Sequence, residues 1–293
     1  MLTALVICRL CHFAATMLLF GASVFLWALV PAGLARKLAA PARRMIVAAV
    51  VVAAVSALAW LALEAGLMSE SSAGMADPSV VGAVAFDTAF GRVWLGRIGL
   101  TLVLATALAV GRGESFGFIA LTGALLLASL GLVGHAAIQT GLFGALHRLN
   151  HAVHLLAAGA WIGGLPPLAL CLRRYGGDAR LRAEAGAALR RFSGLGHFAV
   201  ALVVLTGAVN TALTLGVSPV DFSSPYQALL AAKIAVVAAM IGIALFNRYV
   251  LTPRIKEEPA AALRALTIAS LAEIALGLVA LALVSVFAIL APV

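Results

Sequence analysis

Charged side chains are scarce in this chain: they make up 11% of 293 residues, where a soluble domain carries about 25%. Apolar residues fill their place at 64%, and mean hydropathy is +1.13. A water-soluble fold of this length cannot hide that much apolar surface. Cysteine is scarce too. Cys8, Cys11 and Cys171 are too few for a disulfide framework. Long polar segments are missing, which excludes a disordered chain and leaves no room for a soluble ATPase domain. No G-x-x-x-x-G-K-[ST] loop, G-x-S-x-G elbow, H-E-x-x-H or C-x-x-C-H occurs. ATP-driven pumping, hydrolase chemistry and covalent haem therefore have no sequence support, and the chain reads as a non-enzyme. Extended strand-like alternation is absent as well, which argues against a membrane β-barrel.

Long apolar runs dominate instead. A helix needs about 20 apolar residues to cross the hydrocarbon core. Runs at 5–30, 45–67, 93–110, 116–137, 146–172, 192–215, 226–251 and 266–290 supply eight. The expected fold class is all-α: a polytopic membrane protein, a bundle of eight transmembrane helices forming a single transmembrane domain over 1–293. Gly33-Leu34-Ala35 loosely resembles a signal-peptide cleavage site. The first run exceeds the usual 7–15-residue signal core and has no basic leader, so it reads as a span.

The net charge of +9 would point to nucleic acid in a soluble protein. Its placement says otherwise. Fifteen of the 20 basic residues lie in the four connections after spans one, three, five and seven, including Arg36, Lys37, Arg43, Arg44 and the run from Arg173 to Arg191. The alternate connections hold Glu70, Asp77, Asp87 and Asp221 against Arg92 and Arg148. Basic loops stay cytoplasmic. Both termini are then expected to face outward, to the periplasm, and the basic face to attract anionic lipid rather than nucleic acid.

That orientation gives the polar residues a depth. Cys8, Arg9, Cys11 and His12 fall in the outer half of span one, and Glu64 and Arg97 at the outer ends of spans two and three. His135 ends span four, and His147, Asn150, His151 and His154 occupy the outer half of span five. Asn210 and Lys233 are also outer, whereas His197 and Glu273 lie inward or near the middle. Ionisable groups at membrane depth are costly and face the bundle interior. On a helical wheel His151 lies about +40° and His154 about −20° from His147, with Asn150 at about −60° and Trp161 at about −40°. These residues form one stripe. Cys8, Cys11 and His12 share a side of span one in the same way. Thiolate and imidazole suit copper, zinc or iron; Met17, Met68 and Met75 nearby lean the set towards copper. Glu64 with Arg97, and Lys233 with Glu273, are expected charge pairs. Gly163, Gly164, Gly207 and Ser193 are small residues that let helices approach, and Pro166 and Pro167 are expected to kink or end span five. His197 and Cys171 read as structural.

Gly134-His135-Ala136, His151, His154 and Trp161-Ile162-Gly163-Gly164-Leu165 resemble the core of the copper resistance protein D (CopD) family. Arg191-Phe192-Ser193, Thr206-Gly207-Ala208-Val209-Asn210, Lys233, Asn247-Arg248 with Pro253, and Glu273 extend the resemblance. The likeness is best over about 130–290, with Cys11-His12 its main trace in the first third. Two features depart from the family: there is no fused CopC-like domain, and Pro225-Tyr226-Gln227 stands where Tyr-Gly is expected. The resemblance implies an eight-helix inner-membrane protein of copper homeostasis and resistance, with copper, Cu(I) or Cu(II), as its ligand. It also implies a periplasmic copper-binding partner of the CopC type.

On this reading copper arrives from the periplasm, meets Cys8, Cys11, His12 and His135, and passes to His147, His151 and His154 before crossing the membrane. Neutral imidazole and thiolate bind metal, so uptake is expected to weaken at acid pH. Asn150, Trp161, Asn210, Glu64, Arg97, Lys233 and Glu273 are the supporting polar residues. Two alternatives stand beside this: a membrane electron-transfer protein holding b-type haem between paired histidines, and a copper sensor or scaffold that moves nothing.

Overall fold

A computed structural model of the protein describes residues 1–111, 115–134, 139–175, 178–216 and 220–292. Among these residues there is no β-strand, and seven helical stretches are long and apolar enough to cross a membrane. The protein is therefore an all-helical, multi-pass membrane protein. Helix α1 (Leu2–Val24) runs on through a π-helical turn, Phe25–Leu29. Helix α2 (Ala32–Met68) follows, then a short α3 (Pro78–Asp87) and α4 (Ala89–Ala109). Helix α5 (Phe116–Ala128) has 13 residues and a four-residue 3-10 extension, Ser129–Leu132, and falls below the spanning length. Helix α6 (Gly141–Ile162) continues as α7 (Leu165–Leu172) after a break at Gly163-Gly164, with proline in the first turn of α7. Helix α8 is Ala179–Leu215 and α9 is Pro225–Phe246. A second π-helical turn, Asn247–Leu251, and the single turn α10 (Thr252–Arg254) lead to α11 (Pro259–Phe287).

Two basic segments that read as connections are helical instead. Helices α2 and α8 each have 37 residues, or about 55 Å, against a hydrocarbon core of about 30 Å. Their alanine-, leucine- and arginine-rich starts favour helix without any apolar run. Asp178 caps α8 by accepting from Leu181 N at 2.8 Å. The charges of Arg36 to Arg44 and Arg180 to Arg191 are thus carried on helical extensions that reach beyond an apolar slab.

Asp77 caps α3 in the same way, accepting from Ser79 N and Ser79 Oγ at 2.9 and 2.7 Å. These donors hold the Asp77 carboxyl below its ordinary range. A lowered value means the cap operates while the carboxylate is ionised and is lost as pH falls through the folded value. The protection of the Ser79 amide relative to its intrinsic exchange rate should therefore fall on acidification in the native protein and be independent of pH in Asp77→Ala.

Helix α1 is the centre of the bundle and packs against α2, α5, α6 and α11. Its crossing with α6 is a backbone contact. A Cβ on Gly21 would strike Gly159 O and the Gly163 backbone, and one on Gly163 would strike Met17 O. Glycine spaced by four on α6 makes this approach possible. Backbone cannot give way as a side chain can, so Gly21→Ala should cost about 2 kcal/mol of stability, read as a lowered Tm of the detergent-purified protein. Phe198, Leu205 and Ile234 on α8 and α9 are exposed and form part of the apolar face a bilayer covers.

Candidate metal site

Two polar networks occupy the bundle. The first joins α1, α2, α4 and α5 around Arg97, which is 2% exposed. Arg97 Nη2 donates to His12 Nε2 at 2.6 Å, and Nη1 donates to Leu126 O and Ser129 Oγ. Its guanidinium lies 4.9 Å from the Trp94 ring. Ser56 Oγ donates to Val52 O at 2.6 Å, so it accepts from His12 Nδ1 at 2.9 Å. An arginine can only donate. The two bonds therefore fix His12 as the neutral Nδ1–H tautomer, with its Nε2 lone pair already taken by Arg97. Cys8 is buried beside it and donates from Sγ to Ser56 O at 3.1 Å. Cys11 is exposed. The expected convergence of Cys8, Cys11 and His12 on one side does not occur, because 3.6-residue geometry leaves Cys11 about 100° from His12.

The expected charge pairs also dissolve. Both Arg97 Nη atoms are engaged by His12 and α5, while Glu64 Oε1 accepts from Trp60 Nε1 at 3.0 Å. Lys233 Nζ lies 6.0 Å from the Phe287 ring, and Glu273 accepts from Trp161 and Asn247. Among the described residues the one ion pair is Arg180–Glu184, at 3.2 Å. The members of each expected pair stand on different helices, 33 and 40 residues apart in sequence, and side-chain direction takes each to another partner.

The second network binds α6 to α8. Thr206 Oγ1 donates to Leu202 O at 2.5 Å, so it accepts from His154 Nδ1 at 3.0 Å. Gln139 Oε1 likewise accepts from His147 Nδ1 at 2.8 Å. Both rings are thereby held with the Nδ1 proton tied down and Nε2 as the basic nitrogen, the arrangement by which ligating histidines are oriented. His151 differs. Asn150 Nδ2 donates to Asn210 Oδ1 at 2.9 Å, which turns Asn210 Nδ2 towards His151 Nδ1 at 3.3 Å. His151 therefore accepts at Nδ1 and carries its neutral-form proton on Nε2. The His151 and His154 rings stack at 6.4 Å, inclined by 15°. Gly207 faces His154, where a Cβ would sit 3.3 Å from Cε1.

His147, His151 and His154 line one cavity of about 540 Å³, together with Arg9, Glu64 and Lys233. Asn210, Tyr226 and Trp161 complete its polar wall. Of the residues expected on the α6 stripe, His147, His151, His154 and Trp161 line this cavity, and Asn150 reaches it only through Asn210. His135 lies outside the described residues. Sequence reasoning missed Ser56, Gln139 and Ser129, and it named Thr206 only as part of the family resemblance; these residues orient the imidazoles and Arg97, and single hydroxyls and amides carry no periodic signal. His197 sits apart, with Nδ1 donating to Ser193 O at 2.9 Å and Nε2 3.2 Å from the Tyr249 hydroxyl. Among the described residues no three His, Cys, Asp or Glu side chains converge on one metal position. What the α6 face offers is a row of nitrogens: 1.5 Å of rise per residue spreads His147 to His154 over about 10 Å.

Comparison with known proteins places this arrangement. Residues 1–145 match the family model "Copper resistance protein D-like, N-terminal domain", and residues 186–287 match "Copper resistance protein D". The family matches therefore reach the first half as well, while 146–185, with the three cavity histidines, lies between the two models. The chain is 38% identical to inner membrane protein YebZ of Escherichia coli over 285 residues, covering 97% of each chain. It is 30% identical to copper resistance protein D of Pseudomonas syringae over 245 residues, covering 81% of this chain and 78% of that one. No solved structure matches the chain. Full-length similarity to one relative, similarity to copper resistance protein D itself and two family matches agree: the chain belongs to the copper resistance protein D family.

Proposed function

We propose that this chain is a copper permease of the bacterial inner membrane, one that takes copper at the periplasmic end of the histidine cavity and passes it inward. The observation that carries the reading is the row of His147, His151 and His154 on one cavity wall, two of them held with Nε2 ready to ligate. Imidazole nitrogen suits copper, and neighbouring sites too weak to hold an ion closed allow it to enter and leave. His151 is the exchanging member, because ligation at Nε2 requires its proton to move. The fixed charges on the cavity wall are Arg9, Glu64 and Lys233, one net positive charge. Nitrogen coordination rather than charge attraction therefore draws the ion in. Cys8, Cys11 and His12 leave the ligand set: the first and last are bonded elsewhere, and Cys11 is exposed.

The topology proposed is eight spans with both termini outward. Helix α5 with its extension measures about 27 Å, enough to serve as the eighth span across a core of about 30 Å. The basic helical extensions of α2 and α8 then meet the cytoplasmic leaflet. A small periplasmic copper-binding protein of the CopC type would deliver the ion, as the family resemblance implies.

Among the described residues, the histidines of the cavity all stand on α6. Among the described residues no second helix there presents the opposing imidazole that a six-coordinate haem needs, and His135, the expected partner of His151 or His154 in the haem reading, lies outside them. The test is copper uptake by liposomes containing the purified protein, with a visible spectrum of the same preparation. Accumulation above protein-free vesicles and the absence of a Soret band are expected. Copper binding without accumulation would instead identify a sensor or scaffold, and a Soret band a haem protein.

A further inference from the structure

A second cavity, of about 220 Å³, adjoins the first, and Trp161 lines both. Behind Trp161 stands Glu273, which is 2% exposed. Trp161 Nε1 donates to its Oε2 at 3.2 Å, and Asn247 Nδ2 donates to its Oε1 at 2.7 Å. Each carboxylate oxygen thus accepts one N–H group and keeps a further lone pair free for a second partner. Among the described residues no cation pairs with it; Arg248, on the wall of the same cavity, donates to Ser193 Oγ at 2.8 Å instead. A carboxyl group buried at membrane depth is costly to ionise unless a cation completes it.

A second observation points to the same vacancy in the bonding. Asn247 lines the smaller cavity, and its Oδ1 is buried without a hydrogen-bond partner. Turning the amide over would set Oδ1 against the Glu273 oxygen, so the orphan acceptor cannot be relieved by a flip. Orphaned buried acceptors are rare in native proteins. Asn247 also opens the π-helical turn Asn247–Leu251, and such turns recur at functional sites. Ser193, Ser270 and Thr252 add hydroxyl oxygens to the same cavity wall.

We propose that Glu273 and Asn247 Oδ1 form a second cation site, built from oxygen donors and separated from the α6 imidazoles by Trp161. Oxygen donors of this kind take divalent cations, including Cu(II). That an ion reaches this site by passing Trp161 rests on the permease reading; the existence of the site does not. Trp161 stands immediately before the Gly163-Gly164 break between α6 and α7, where the helix can yield.

The test separates the two. In the full chain carrying His147→Ala, His151→Ala and His154→Ala, Cu(II) should still bind, with an electron paramagnetic resonance signal of oxygen-dominated coordination. Adding Glu273→Gln should remove that signal, and Asn247→Leu should weaken the binding about tenfold with the fold retained by circular dichroism. A signal unchanged by Glu273→Gln overturns the site. In liposomes, Glu273→Gln alone should lower copper uptake at least tenfold while copper binding at the imidazoles is unchanged. Uptake equal to wild type overturns the passage through Glu273. A wild type that moves no copper overturns the permease reading and leaves the resonance result to decide the site.

Discussion

His151→Ala with His154→Ala should reduce copper uptake to the level of protein-free vesicles, a loss of 100-fold or more. The two rings stack at 6.4 Å on one wall of the cavity and stand at its deep end on α6, next to Trp161 on the helical stripe. His154 is the better-prepared ligand because Thr206 fixes its Nδ1 proton. His151 bridges the height between His147 and His154. Removing either alone lengthens the step between nitrogens, and a single replacement should cost about tenfold, or about 1.4 kcal/mol of barrier. Removing both leaves His147 as the one imidazole of the cavity wall, with nothing beyond it to accept the ion. Thr206→Val is the finer probe: it keeps the imidazole but frees the ring, and outer-shell partners of this kind are worth about 10–100-fold in metal affinity. Uptake that survives the double replacement would contradict the ladder.

His12→Ala should produce the largest loss of stability among the candidate ligands, about 3 kcal/mol, with copper affinity unchanged. His12 is 1% exposed and its Nε2 accepts from the Arg97 guanidinium. Arg97 Nε is already buried without a partner. Deleting the imidazole would strand a second donor of the same buried cation, and an unsatisfied charged group costs more than a neutral one. His12→Gln restores an acceptor at similar reach and should recover part of the Tm. The pair of variants distinguishes roles. A folded His12→Gln protein that has lost copper binding would make His12 a ligand; one that binds normally confirms that His12 serves Arg97.

The α6 site was legible in the sequence because a helix converts spacing into direction. His147, His151 and His154 share a stripe at 3.6 residues per turn, and all three line one cavity. The apolar runs were legible for a similar reason, being long enough to require a membrane. Pairing between helices was not. Which cation meets which carboxylate depends on helix rotation and side-chain rotamers, and neither leaves a periodic trace. Arg97 therefore went to His12 and α5 rather than to Glu64, and Lys233 towards Phe287 rather than to Glu273. Cys11 illustrates the limit of the wheel: 100° separates a neighbour that faces the bundle from one that faces out. The helical starts of α2 and α8 escaped notice because charge interrupts hydropathy without interrupting helix.

Copper K-edge X-ray absorption on the detergent-purified protein, loaded with one equivalent of copper, tests the central claim most directly. The α6 imidazoles predict a first shell of nitrogen with the outer-shell scattering of histidine rings, unchanged in a Cys8→Ser, Cys11→Ser variant and lost in His147→Ala, His151→Ala, His154→Ala. A sulfur shell at thiolate distance that disappears with the cysteines would contradict it.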